Sequence, residues 1–141
     1  DLAIFGLKDY QQFLVIKQLT NDLCLPVKII GAPIARAESG LALSSRNGYL
    51  SNSELGQAAQ LYACLINCRL ALEQGESDLQ KLEDQAQCQL ESAGFERDYF
   101  KICRQNDLQP ATNSDSHLAI VAAAYLGKAR LIDNIRFTLQ L

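Results

Sequence analysis

Two short apolar runs, at residues 2–5 and 27–30, flank one stretch with helical spacing, and each run is closed by glycine. No other pattern constrains the fold as much. Strands joined through a helix run parallel, because only a long crossover returns the chain in the same direction. Phe13, Leu14, Ile16, Leu19 and Leu23 recur on one side of a helix expected over about 10–23. Asp9 is its expected N-cap and Leu25-Pro26 its stop. Gly6 ends the first run, which reads as a buried strand, and Gly31 and Pro33 end the second. The first third is therefore strand–helix–strand, the repeating unit of an α/β sheet. One such unit is only a corner of a doubly wound domain. The chain also starts at Asp1 and contains no Met, so it reads as the back part of a longer protein.

The period changes further along. "SNSE" at 51–54 fits a capping box, in which Ser51 accepts at the helix start and Glu54 reaches back. The helix it opens runs to about Gln74, with Leu55, Ala58, Ala59, Tyr62, Leu65, Ile66 and Leu70 at helical spacing, and Gly75 ends it. "SDLQ" at 77–80 repeats the signal and opens a helix carrying Leu79, Leu82, Ala86 and Leu90, which stops at Gly94. "DYFKICR" then reads as a strand, and "HLAIVAAAYLGKARLIDNIRF" as two strands about a tight turn at Gly127-Lys128. Two helices and about three antiparallel strands make an α+β unit, with a domain boundary near residues 47–51.

A formal net charge of −3 argues against a non-specific nucleic-acid binder, whose footprint is basic. Charges break every apolar stretch, so no membrane span is expected, and no secretory signal is visible. The five cysteines (Cys24, Cys64, Cys68, Cys88 and Cys103) are odd in number and show no CxxC pair. They read as small buried thiols of a reducing cytoplasm, which sets the expected location. Cys64 and Cys68 stand four apart on a helix, but the one histidine, His117, is far away and reads as structural. No protein-held metal site is expected.

Two constellations carry chemistry. Gly6, Lys8, Asp9, Gln11 and Gln12 follow the first strand, where ligands of open α/β sheets bind. Lys8 can neutralise phosphate as a point charge. Asp9 can accept from ribose hydroxyls or help hold Mg²⁺, and the two amides can read hydroxyls or a carboxylate. The alternative is a solvated turn with Asp9 as a plain cap. The second constellation is Ser44, Ser45, Arg46 and Asn47, within "GLALSSRNGYL". Hydroxyls, loop N–H groups and a forked guanidinium suit phosphate oxygens and would offset charge on a leaving pyrophosphate. The alternative is a loop with Arg46 paired to a surface acid.

"FGLKDYQQ", "VKIIGAPIARAESGLALSSRNGYLS" and "AYLGKARLIDN" resemble the pantothenate synthetase (pantoate–β-alanine ligase) family, in order and over nearly the whole chain. The resemblance implies ATP-dependent condensation of pantoate with β-alanine through pantoyl adenylate, with Mg²⁺. Pantothenate, AMP and pyrophosphate are the products. It also implies that residues 1–48 are the last strand–helix–strand piece of a Rossmann-like nucleotidylyl-transferase domain, and 49–141 a small α+β lid. Gly6, Lys8 and Asp9 would line the ATP site, Lys8 on phosphate and Asp9 on ribose. Gln12 would bind pantoate. The backbone around Gly31, Pro33 and Ile34 would face adenine, and Ser44, Ser45 and Arg46 would close over the triphosphate. Lys8, Ser44, Ser45 and Arg46 are the expected catalytic set. A cytoplasmic homodimer is implied for the full-length enzyme, with small-molecule partners and neither nucleic acid nor membrane.

The chain departs from the family pattern at Leu7 and Ser39, where acids are usual. The family's N-terminal half carries an ATP-binding histidine motif and a further pantoate-binding glutamine. Neither matches anything in this chain, so the chain alone is expected to be inactive. The competing expectations are a non-catalytic lid or dimerisation module, and another adenylyl-transferring enzyme on the same core.

Overall fold

The computed structural model describes residues 1–140. In chain order it contains β1 (Leu2–Gly6), α1 (Tyr10–Asp22), β2 (Lys28–Ala32), a short 3₁₀ helix (Ser45–Tyr49), α2 (Asn52–Glu73), α3 (Leu79–Ser92), β3 (Glu96–Arg104), β4 (His117–Leu126) and β5 (Ala129–Thr138). β1 and β2 pair in parallel, from Leu2 opposite Lys28 to Gly6 opposite Ala32, as the helical crossover requires. β3, β4 and β5 form a separate antiparallel sheet in that order.

The α/β corner is open on one face. Leu2 and Ile4 of β1 are each 61% exposed, because among the described residues one face of this two-stranded sheet has no covering layer. Leu19 and Leu23 are also exposed, and α1 buries Tyr10 and Thr20 instead. Asp9 does not cap α1: its side chain accepts no bond from the first turn, so the carboxylate stays free.

The main core lies between α2, α3 and one face of the antiparallel sheet. The capping box of α2 is present: Glu54 N–H donates to Ser51 Oγ at 3.3 Å, and Ser51 N–H donates to Glu54 Oε2 at 2.8 Å. The buried stripe of α2 differs from the expected one. It comprises Ala58, Leu61, Cys64, Leu65, Cys68 and Leu72, while Leu70 faces out. The two cysteines act as small apolar core residues, which turns the stripe toward them. On α3, Leu82, Ala86 and Leu90 are buried as expected, but the cap is Asp78 rather than Ser77: Lys81 N–H donates to Asp78 Oδ1 at 3.0 Å. Cys24 and Cys88 are exposed, so only three of the five thiols are the buried groups expected. Burial pushes the Cys68 thiol up to about 12 and that of Cys103 to about 11. His117 Nδ1 lies 3.1 Å from Thr138 Oγ1, in a cross-strand pair of neighbours on β4 and β5.

Among the described residues no further strand completes the outer edges of the antiparallel sheet; the backbone of Gln109–Ala111 pairs with part of β3, and side chains cover positions on both edges. On β3, the buried Glu83 of α3 accepts from Ile102 N–H at 2.9 Å and pairs with Lys101. On β5 the cover comes from the loop after β2, described below. The second face of this sheet meets the α/β corner: Leu7, Tyr10 and Ala119 form a small core joined by Phe13, Leu14, Ile34, Leu108 and Val121. Alanines 119 and 122–124 keep β4 thin where layers press on it from both sides. Tyr10 Oη donates to Gln105 O at 2.6 Å and pins the start of α1 to the sheet.

Candidate functional site

The turn between β1 and α1 carries the first constellation, and three contacts fix it. Leu7 is buried, and its side chain fills the space above Gly31, where a Cβ would sit 2.4 Å from Leu7 Cδ2. Tyr10 anchors the other end. Between them, Asn134 Nδ2 of β5 donates to Leu7 O at 2.9 Å and to Lys8 O at 3.0 Å. Lys8 is thereby held half-buried. Burial pushes its ammonium below the usual lysine value; Asp9 and Asp133 oppose this and Arg46 reinforces it. No heavy atom lies within 4 Å of where a Cβ on Gly6 would be, so the backbone there is open to a ligand.

The second constellation is a self-braced loop. Ser44 caps the 3₁₀ helix, with Arg46 N–H donating to its Oγ at 3.2 Å. Asn47 Nδ2 donates back to Ala42 O at 3.1 Å. These bonds turn Ser45 and Arg46 outward, and both are exposed. Among the described residues neither Lys8 nor Arg46 forms a salt bridge, and the two stand near enough to repel.

Behind this loop, Arg36 donates to both carboxylate oxygens of Asp133, at 2.6 and 2.9 Å, and to Gly40 O at 3.0 Å. Its guanidinium also lies 3.9 Å above the Tyr62 ring. Gly40 has φ +88, and a Cβ there would sit 2.4 Å from a Tyr62 ring carbon. Only glycine fits this turn.

Lys8, Asp9, Gln11 and Gln12 line a groove of about 500 Å³ with Tyr99, Lys101 and Arg130 of the antiparallel sheet. Lys8 also lines a smaller recess with Ser44, Asn47 and Asp133, so it stands between the groove and the Ser44–Arg46 loop. The structure thus gathers Lys8, Asp9, Gln11, Gln12 and Ser44 along one seam, with Arg46 close to Lys8. Gly31, Pro33 and Ile34 lie on neither hollow: Gly31 seats Leu7, Ile34 packs in the small core and Pro33 is exposed. Arg36, Asp133 and Asn134 escaped the sequence reading. Their signal was an acid and an amide side by side inside the apolar run "RLIDNI".

The donor set does not fit a protein-held Mg²⁺. Of the two carboxylates on the groove, Asp133 is committed to Arg36 and Asp9 stands alone. Among the described residues no group of three or more His, Cys, Asp or Glu could hold a metal. No described helix is long and apolar enough to cross a membrane.

Residues 1–136 match the family model of pantoate-beta-alanine ligase. Pantothenate synthetase of Pseudomonas fluorescens (strain Pf-5) is 52% identical over 140 residues, covering 99% of this chain and 49% of the relative. That of Shewanella baltica (strain OS223) is 50% identical over 137 residues, covering 97% and 48%. A crystal structure of pantothenate synthetase from Thermus thermophilus superposes with a TM-score of 0.88 at 38% identity, over 95% of this chain and 49% of that one. A pantoate-beta-alanine ligase from Francisella tularensis, complexed with beta-gamma ATP and beta-alanine, gives 0.64 at 33% identity, over 95% and 42%. The chain spans about half the length of the curated relatives it matches. Match, identity and superposition agree across nearly its whole length, and the chain belongs to the pantoate–β-alanine ligase family.

Proposed function

We propose that this chain supplies the phosphate-binding part of a pantothenate synthetase, which joins pantoate to β-alanine through pantoyl adenylate with release of pyrophosphate and AMP. The observation that supports this most directly is that Lys8, salt-bridged to no acid among the described residues, lines a recess with Ser44, two residues from the exposed Arg46. Asp9 and Asp133 offset part of the burial of Lys8 without being bridged to it, so an anion entering this recess meets an unpaired ammonium. A relative in complex with beta-gamma ATP and beta-alanine supports ATP as that anion.

In this reading Lys8 and Arg46 neutralise the triphosphate, with the Ser44 and Ser45 hydroxyls donating to its oxygens. Negative charge grows on the leaving pyrophosphate as the pantoate carboxylate attacks the α-phosphorus, and these groups stabilise it. The free Asp9 carboxylate accepts from the ribose hydroxyls, Gln12 holds pantoate in the groove, and the backbone of 31–34 meets adenine. Positioning and charge carry the first step, so no protein nucleophile is required. The amine of β-alanine then displaces AMP from the acyl carbon. Residues 1–48 act as the end of a Rossmann-like nucleotidylyl-transferase domain and 49–141 as its lid, within a cytoplasmic homodimer.

The test joins this chain to the remaining half of a relative and assays it with ATP, pantoate and β-alanine. Pantothenate and AMP should form, and Arg46→Ala should slow turnover by about 10²–10³-fold. AMP release that does not depend on β-alanine would overturn the reading. The 141-residue chain alone should form no pantothenate.

A further inference from the structure

Asp133 and Asn134 are both nearly inaccessible to solvent, yet they are an acid and an amide within a strand. Adjacent strand residues point to opposite faces, so the two side chains leave β5 in opposite directions. Asn134 reaches the β1–α1 turn and donates to the carbonyls of Leu7 and Lys8. Asp133 takes both arms of Arg36, which itself holds Gly40 O, and Gly40 stands four to six residues before Ser44, Ser45 and Arg46. The same groups complete the free edge of β5. Asn134 N–H donates to Asp133 Oδ1 at 2.7 Å, and Arg36 donates to Asn134 O at 3.3 Å.

One strand of the second sheet therefore holds both segments that carry the candidate phosphate ligands. Neither segment forms a strand-to-strand ladder with β5, so the hydrogen bonds that tie them to this strand run through side chains. Sheet stability alone explains a covered edge. It does not explain a side-chain amide spent on two consecutive carbonyls of a different sheet's turn.

We propose that Asp133 and Asn134 are positioning residues, which hold Lys8 and the Ser44–Arg46 loop at the separation a polyphosphate needs. The inference rests on the phosphate-binding reading above, and the test separates the two. The probe is inorganic tripolyphosphate, titrated into the 141-residue chain and followed through the Lys8 and Arg46 amide resonances. Wild type should bind. Asn134→Ala should weaken binding about tenfold, the scale of one or two lost hydrogen bonds. Arg36→Lys keeps the charge but loses the fork, and should also weaken binding; it carries the test if Asn134→Ala does not fold. Asp78→Ala is the control, since it removes the cap of α3 without touching either segment or the groove. It should lower thermal stability and leave the affinity unchanged.

If wild type shows no response at millimolar tripolyphosphate, the phosphate reading falls and the inference falls with it. If wild type binds and the Asn134 and Arg36 variants bind as well, the inference falls alone. It also falls if Asp78→Ala weakens binding as much as they do, because stability would then account for the effect.

Discussion

Arg36 grips Asp133 with two parallel bonds across 97 residues of sequence, and the Tyr62 ring covers the guanidinium from α2. The acid is 4% exposed, so this is a desolvated pair. Such a pair adds little compared with an apolar substitute for both partners, but removing one partner strands the other. Arg36→Ala should cost about 3–5 kcal/mol, read as a fall in the midpoint of chemical denaturation. Arg36→Lys should cost less, since it keeps the charge.

Gly40 and Gly48 flank the same loop in different surroundings. Gly40→Ala meets both the positive φ and the Tyr62 ring, and should cost about 1–3 kcal/mol. At Gly48 nothing lies within 4 Å of an added Cβ, so Gly48→Ala should leave the denaturation midpoint nearly unchanged. Equal effects at the two positions would contradict the tight turn.

Lys8 is a charge held against burial, and its value in the folded chain lies below the unfolded 10.5. Below both values the ammonium disfavours the fold; stability returns as pH rises through the lowered value toward 10.5. Lys8→Met should therefore stabilise the chain at neutral pH while weakening tripolyphosphate binding. The stability gain should shrink in alkaline solution. A gain that persists above the unfolded value would mean that packing, not charge, was responsible.

Thiol alkylation followed by mass spectrometry should label Cys24 and Cys88 in the folded chain. Cys68 and Cys103, pushed up to about 12 and about 11 by burial, and the buried Cys64 should react only after unfolding.

Local signals survived folding best. The Ser51–Glu54 capping box, the parallel pair about α1 and the tight turn at Gly127 each depend on a few neighbouring residues, and each stands where the sequence put it. Burial was harder to read, because it depends on what arrives from elsewhere. Leu19 and Leu23 have helical spacing but nothing packed over them, and Cys64 and Cys68 face the core that Leu70 was expected to share. In the candidate site, Lys8, Asp9 and the Ser44–Arg46 run were visible as chemistry. The residues that hold them were not. Arg36, Asp133 and Asn134 meet only when β5 closes the second sheet, about a hundred residues after the loop that Arg36 opens. Spacing in sequence carries no trace of such a contact.

Because Asp133 and Asn134 are neighbours on one strand, the register of β5 decides which loop each one serves. A slip of a single residue would turn the acid toward the backbone carbonyls of the β1–α1 turn and the amide toward the guanidinium of Arg36. Like partial charges would then face each other on one side, and a charged group would lose its counter-ion on the other. A misregistered strand would thus be penalised on both faces at once. The strand pairing that completes the small sheet also proofreads the assembly of the seam beside it.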